Sequence, residues 1–110
     1  MVQTQRERLP SRRRGIRATI GSGMNKFVLS TGDYPDGRLG ELFIDAPKEG
    51  SFSRAILNAL AISISIGLQH GIPLSTFQHA YAGFRMSPDI LANMMSILAE
   101  NYEIKSDVIS

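Results

Sequence analysis

Cysteine is absent from this 110-residue sequence. That excludes a disulfide framework, a thiolate metal site, a cysteine nucleophile and a dithiol redox pair. Histidine is scarce. Only His70 and His79 occur, and a zinc site built on them would need carboxylates that do not cluster nearby. The N-terminus lacks the apolar stretch of roughly 7–15 residues that marks a signal peptide. The most apolar run, Ala55 to Leu68, is interrupted by Asn58, Ser63 and Ser65 and falls short of the ~20 residues that span a bilayer. A cytoplasmic chain with no membrane segment is therefore expected. No "G-x-S-x-G" elbow, Walker loop or dinucleotide fingerprint organises the serines and glycines, and Gly21-Ser22-Gly23 reads as a turn rather than a phosphate cradle.

What is present is the composition of one ordinary globular domain, 43% hydrophobic and 20% charged. Charge is uneven. Residues 1–17 carry Arg6, Arg8, Arg12, Arg13, Arg14 and Arg17 against Glu7 alone, a local balance of +5; the whole chain is +2, so the remainder carries −3. The division expected is a basic arm over 1–14 and a single domain over 15–110. Arginine grips phosphate or carboxylate through a planar fork, so the arm suits an anionic ligand. A solvated leader and nonspecific nucleic-acid contact are the other readings of such an arm.

Within the domain, Ile16, Ala18 and Ile20 alternate with Arg17 and Thr19, the period of a strand. Residues 26–31 form a second strand after a turn, and Leu39 to Asp45 a third after the Tyr-Pro and Asp-Gly turn signals. Leu39, Glu41, Phe43 and Asp45 are expected on one face of it, Leu42 and Ile44 on the other. A long helix follows, N-capped by Ser51 and stopped by Gly71 and Pro73. Phe52, Ile56, Leu60, Ile64 and Leu68 recur along it every four residues, with Phe52 expected in the core. Ala55, Ala59, Ser63 and Gly67 form a row of small side chains that would admit another backbone, within the chain or at a subunit interface. A short helix over 74–82 precedes a last one that starts at Ser87, Pro88 and Asp89. The polar tail begins after Tyr102. This order predicts an α+β fold: a small antiparallel three-stranded sheet, then a long central helix with one or two further helices packed on it.

Three segments are recognisable. "RERLPSRRRGIRATIG", "VLSTGDYPDGRLGELFIDAPKEGS" and "NALAISISIGLQHGIPL" resemble the C-terminal domain of adenosylcobalamin-dependent (class II) ribonucleotide reductases. That domain is named for a Thr-Ser-Cys-Pro-Asp motif. The matching stretch here is Arg85-Met86-Ser87-Pro88-Asp89, which keeps Pro-Asp and lacks the cysteine. The resemblance runs over about residues 6–100. It implies an accessory domain of nucleotide chemistry without the reductase's catalytic barrel, thiols or cobalamin site. No enzymatic activity, cofactor or metal is therefore expected of this chain.

The candidate ligand-binding residues are cationic. They are Arg12, Arg13 and Arg14 of the arm, Arg38 after the Asp-Gly turn, Lys48, Ser51 and Arg54 around the start of the long helix, and Arg85 before the last one. At the long helix's N-terminus, exposed amides and the positive dipole end would add to the charge. Glu49 or Asp45 could instead simply pair with Lys48 and Arg54. Tyr34, Phe52 and Phe84 could stack on a base. The function expected is non-catalytic binding of a phosphorylated nucleotide, cyclic ones included, across a homo-oligomer interface. Such a module could serve a reductase subunit, or act alone as a phage-type sponge for a nucleotide immune signal. An oligomerisation or protein-docking domain and nucleic-acid binding through the arm stand as alternatives.

Overall fold

Period-two patterning and turn chemistry build the sheet. The computed structural model describes residues 5–21, 26–46, 50–82 and 90–102. Strands β1 (Arg17–Ile20), β2 (Phe27–Asp33) and β3 (Leu39–Asp45) pair antiparallel in the order β1-β2-β3. Ala18, Leu29 and Ile44 lie opposite one another across the sheet, as do Ile20 and Phe27, and this face is the buried one. The β2–β3 turn closes through Gly37 N–H to the Tyr34 carbonyl (2.8 Å). Gly37 sits at φ 92°, a conformation that favours glycine. The expected start of the last helix, 87–89, lies outside the described residues.

One departure concerns β3. The register passes from Gly32 opposite Glu41 to Asp33 opposite Leu39, leaving Gly40 as an extra residue. A bulge of this kind switches the side-chain alternation. Leu39 therefore enters the core instead of sharing the outer face with Glu41, Phe43 and Asp45.

Three helices follow: α1 (Ser51–Gln69), α2 (Leu74–Tyr81) and α3 (Ile90–Asn101). The long helix α1 lies on β3, and α3 meets β1 and α2. The cap of α1 is Gly50, in extended conformation and without a side-chain cap bond, so Ser51 is the first helical residue rather than the cap. At the other end His70, Gly71 and Ile72 form a Schellman closure: Gly71 N–H reaches the Leu68 carbonyl and Ile72 N–H the Gly67 carbonyl, with Gly71 at φ 89°.

Two further expectations for α1 are corrected. A residue every four positions advances 40° around the helix at each step, so the row from Phe52 to Leu68 winds from solvent into the core. Ile64 and Leu68 are buried, Leu60 is half-buried, and Phe52 and Ile56 are exposed. Of the small row, only Gly67 is buried, against Phe77; Ala55, Ala59 and Ser63 face out. The stripe that seats the helix is Leu57, Ala61, Ile64, Ser65 and Leu68. By length and composition α1 would suffice to cross a membrane (19 residues, mean hydropathy 1.4). Here one face of it is occupied by the sheet.

The seating is polar as well as apolar. Ser65 Oγ accepts from the Leu42 N–H at 2.9 Å, and Gln69 Nε2 donates to the Gly40 carbonyl at 2.9 Å. Both satisfy backbone groups of β3, an edge strand.

Candidate functional site

Residues 5–14 run back along the body. Asp33 N–H donates to the Arg14 carbonyl (2.8 Å) and Thr31 N–H to the Ile16 carbonyl (3.0 Å), extending the β1–β2 pairing toward the arm. Gly15 permits this approach, because a Cβ there would lie 1.9 Å from the Thr31 carbonyl oxygen. Further along the arm, Glu7 N–H donates to the Gln69 carbonyl (2.7 Å), and Arg6 bonds the Gln69 side chain. Leu9 packs where a Gly40 side chain would be, beside the Tyr34 ring.

Arg38 fastens arm to turn. Its guanidinium forks onto both oxygens of Glu7 (2.9 and 3.1 Å), and its Nε donates to Asp36 at 2.7 Å. It also lies over the Tyr34 ring, 4.6 Å from the centroid. The bonds to Glu7, then Asp36, make Arg38 hold its proton still more firmly, while the Arg38 contact lowers the Asp36 carboxyl. Tyr34 is buried and donates to the Glu7 carbonyl (2.6 Å); burial, then Glu7, raises its phenol.

Between arm and turn lies an open hollow of about 730 Å³, lined by Arg12, Arg13, Arg14, Asp33, Tyr34 and Asp36 among others. Arg13 is engaged by Glu41 and the Pro10 carbonyl. Arg12 and Arg14 are exposed and form no ion pair among the described residues. Of the lining residues, Asp33 is held by Tyr102 OH, which donates to its Oδ1 (2.5 Å) and meets Thr31 Oγ1 (2.7 Å), itself the acceptor of Ile16 N–H (2.8 Å).

The structure thus brings the three arm arginines to the 33–37 turn, with Arg38 bound to the carboxylates beside it. Ser51 and Arg54 line a different open hollow of about 380 Å³, with Asp45 and Asn58. Lys48, Arg85 and Phe84 lie outside the described residues. Tyr34 offers no face to a base, since it is buried under Arg38.

A family model of the TSCPD domain matches residues 3–102. The chain belongs to the TSCPD-domain family. This TSCPD domain is 43% identical to the vitamin B12-dependent ribonucleotide reductase of Agrobacterium fabrum, over 88% of the chain and 8% of the reductase. It is 44% identical to that of Bradyrhizobium diazoefficiens, over 80% of the chain and 7% of the relative. The Streptomyces coelicolor protein of the same name is 36% identical over 76% of the chain and 9% of its own length. The chain spans less than a tenth of these reductases. No solved structure matches it. The kinship with the reductase C-terminal domain is thereby established. Glu7, Gln69 and Tyr102 are the site residues that sequence reasoning passed over. Two had a signal: Glu7 is the lone acid among six arginines, and Tyr102 continues the Met94–Leu98 spacing of α3.

Proposed function

We propose that this TSCPD domain is a non-catalytic module that binds a phosphorylated nucleotide in the hollow between its arm and the 33–37 turn. The observation that carries the reading is the pair Arg12 and Arg14, two exposed guanidiniums on an open hollow, neither committed to a carboxylate of the described residues. Guanidinium forks match phosphate oxygens in pairs. The volume, about 730 Å³, lies in the range of small-molecule sites. With Tyr34 covered, recognition rests on the phosphates more than on the base. Kinship with reductases favours a nucleotide over other anions. Such binding would serve equally beside a reductase subunit or alone, sequestering a nucleotide signal in the cytoplasm.

The test is a thermal-shift and calorimetric screen against mono-, di-, tri- and cyclic nucleotides. A ligand at 100 times its Kd should raise stability by about 2.7 kcal/mol. The double variant Arg12→Glu/Arg14→Glu should abolish the shift while keeping the fold. Arg54→Glu should leave it intact, and loss there would move the site to the hollow at α1. Silence from every nucleotide would sink the proposal. Binding of an oligonucleotide that weakens steeply with salt would favour nucleic acid instead.

A further inference from the structure

Asp33 and Asp36 are the carboxylates that line the hollow between arm and turn among the described residues. They are held in opposite ways. Asp36 gives both oxygens to Arg38, one to its backbone N–H (3.1 Å) and one to its Nε (2.7 Å). Asp33 is held by a neutral group: Tyr102 OH donates to Oδ1 at 2.5 Å, and Thr31 Oγ1 meets that hydroxyl at 2.7 Å. Its backbone is fixed as well, since its N–H donates to the Arg14 carbonyl (2.8 Å). Oδ2 has no partner among the described residues, and the neighbouring Arg14 forms no ion pair with it. Every buried side-chain oxygen of those residues is bonded, so Oδ2 reaches solvent, and Asp33 borders the solvent of the hollow.

The hollow therefore sets a fixed, charged acceptor beside the uncommitted guanidiniums of Arg12 and Arg14. For an anionic ligand that acceptor is a liability, because like charges repel, unless the ligand brings a donor to it. Ionised phosphates bring none. The sugar of a nucleotide brings hydroxyls, and a carboxylate accepts from a hydroxyl through a single oxygen. A single oxygen is what Tyr102 leaves. The paired N–H donors of a guanidinium, or of a guanine edge, need both.

We infer that Asp33 Oδ2 accepts a ribose hydroxyl of the bound nucleotide, so that the site reads the sugar as well as the phosphates. The inference rests on the nucleotide reading above and adds the sugar to it. Tyr102 and Thr31 are positioning residues, holding Oδ1 so that Oδ2 is left for the ligand.

Calorimetry on the full chain, in EDTA, would compare ATP, GTP, CTP and UTP with their 2′-deoxy and 3′-deoxy forms. Loss of the hydroxyl that Oδ2 holds should weaken binding about tenfold, by the same factor for every base. Asp33→Asn keeps an acceptor for Tyr102 and removes the charge. That factor should fall several-fold in it, and the deoxy form should bind no worse than to the parent. Asp33→Ala, which also gives up the Tyr102 bond, should bring the forms to parity; if it does not fold, the parent and Asp33→Asn decide. Arg12→Glu/Arg14→Glu should instead lose every form alike. Both deoxy forms bound as tightly as the ribonucleotide would overturn the inference and leave the phosphate site standing. So would a penalty unchanged in Asp33→Asn and Asp33→Ala, or one that spares UTP, whose base carries no amine. A penalty that appears only with Mg²⁺ would give Oδ2 to the cation and overturn it too. Failure of every form to bind the parent would remove the inference and the nucleotide reading together.

Discussion

Arg38 and Tyr102 show how single side chains set the site. Arg38 spends its fork on Glu7 and its Nε on Asp36, so it fastens the arm to the turn, whereas Arg12 and Arg14 form no ion pair among the described residues. Tyr102, itself buried, orders three groups in one direction: Thr31 hydroxyl to Tyr102 hydroxyl to the Asp33 carboxylate. Burial, and then the bond to Asp33, push the Tyr102 phenol up to about 12 from 10.0. A group whose pKa is raised in the folded state adds stability that is complete below its unfolded pKa and lost as pH climbs through the folded one. Tyr102 therefore adds an alkaline loss of stability between pH 10 and about 12. Tyr102→Phe should cost about 1 kcal/mol near neutral pH and flatten that loss. Thermal unfolding across pH checks both, and an unchanged alkaline limb would remove Tyr102 as its source.

At the level of elements, α1 has two apolar faces, one seated on the sheet and one exposed. Its inner stripe is fastened by Ser65 and Gln69, whose polar groups meet β3 backbone that β-pairing leaves at the sheet edge. Ser65→Ala removes the acceptor of a buried N–H. The expected loss is about 1–3 kcal/mol, measured by urea unfolding. Ser63→Ala on the outer face removes a hydroxyl that only bonds back to the Ala59 carbonyl at 2.9 Å. It should change stability by less than about 0.5 kcal/mol.

Over the whole molecule, the arm belongs to the body's packing. Backbone bonds at Glu7 and Arg14, the Leu9 contact and the Arg13–Glu41 pair tie residues 5–14 across β2, β3 and the end of α1. Exposed ion pairs contribute little, so most of the hold is in the backbone bonds and Leu9. Removing residues 1–14 should leave a folded body with Tm lowered by on the order of 10 °C, and the loss should change little with salt. A Tm equal to that of the full chain would show the arm to be a passive leader.

The sequence by itself determined the α+β order, the bounds of β3 and the stop of α1. Each of these is a local matter of side-chain period, turn residues and glycine. It also carried the family, because the blocks at the arm, the hairpin and the long helix are contiguous. Only the tertiary structure decided which arginines are available. Whether a guanidinium is spent depends on a carboxylate distant in the chain, as Glu7 is from Arg38 and Glu41 from Arg13. Tertiary structure likewise decided which side of α1 is covered, since an all-round apolar helix has no preferred face until the sheet selects one. The bulge at Gly40 is of the same kind. One extra residue in the pairing moved Leu39 into the core, and pairing register is a property of two strands rather than of either one.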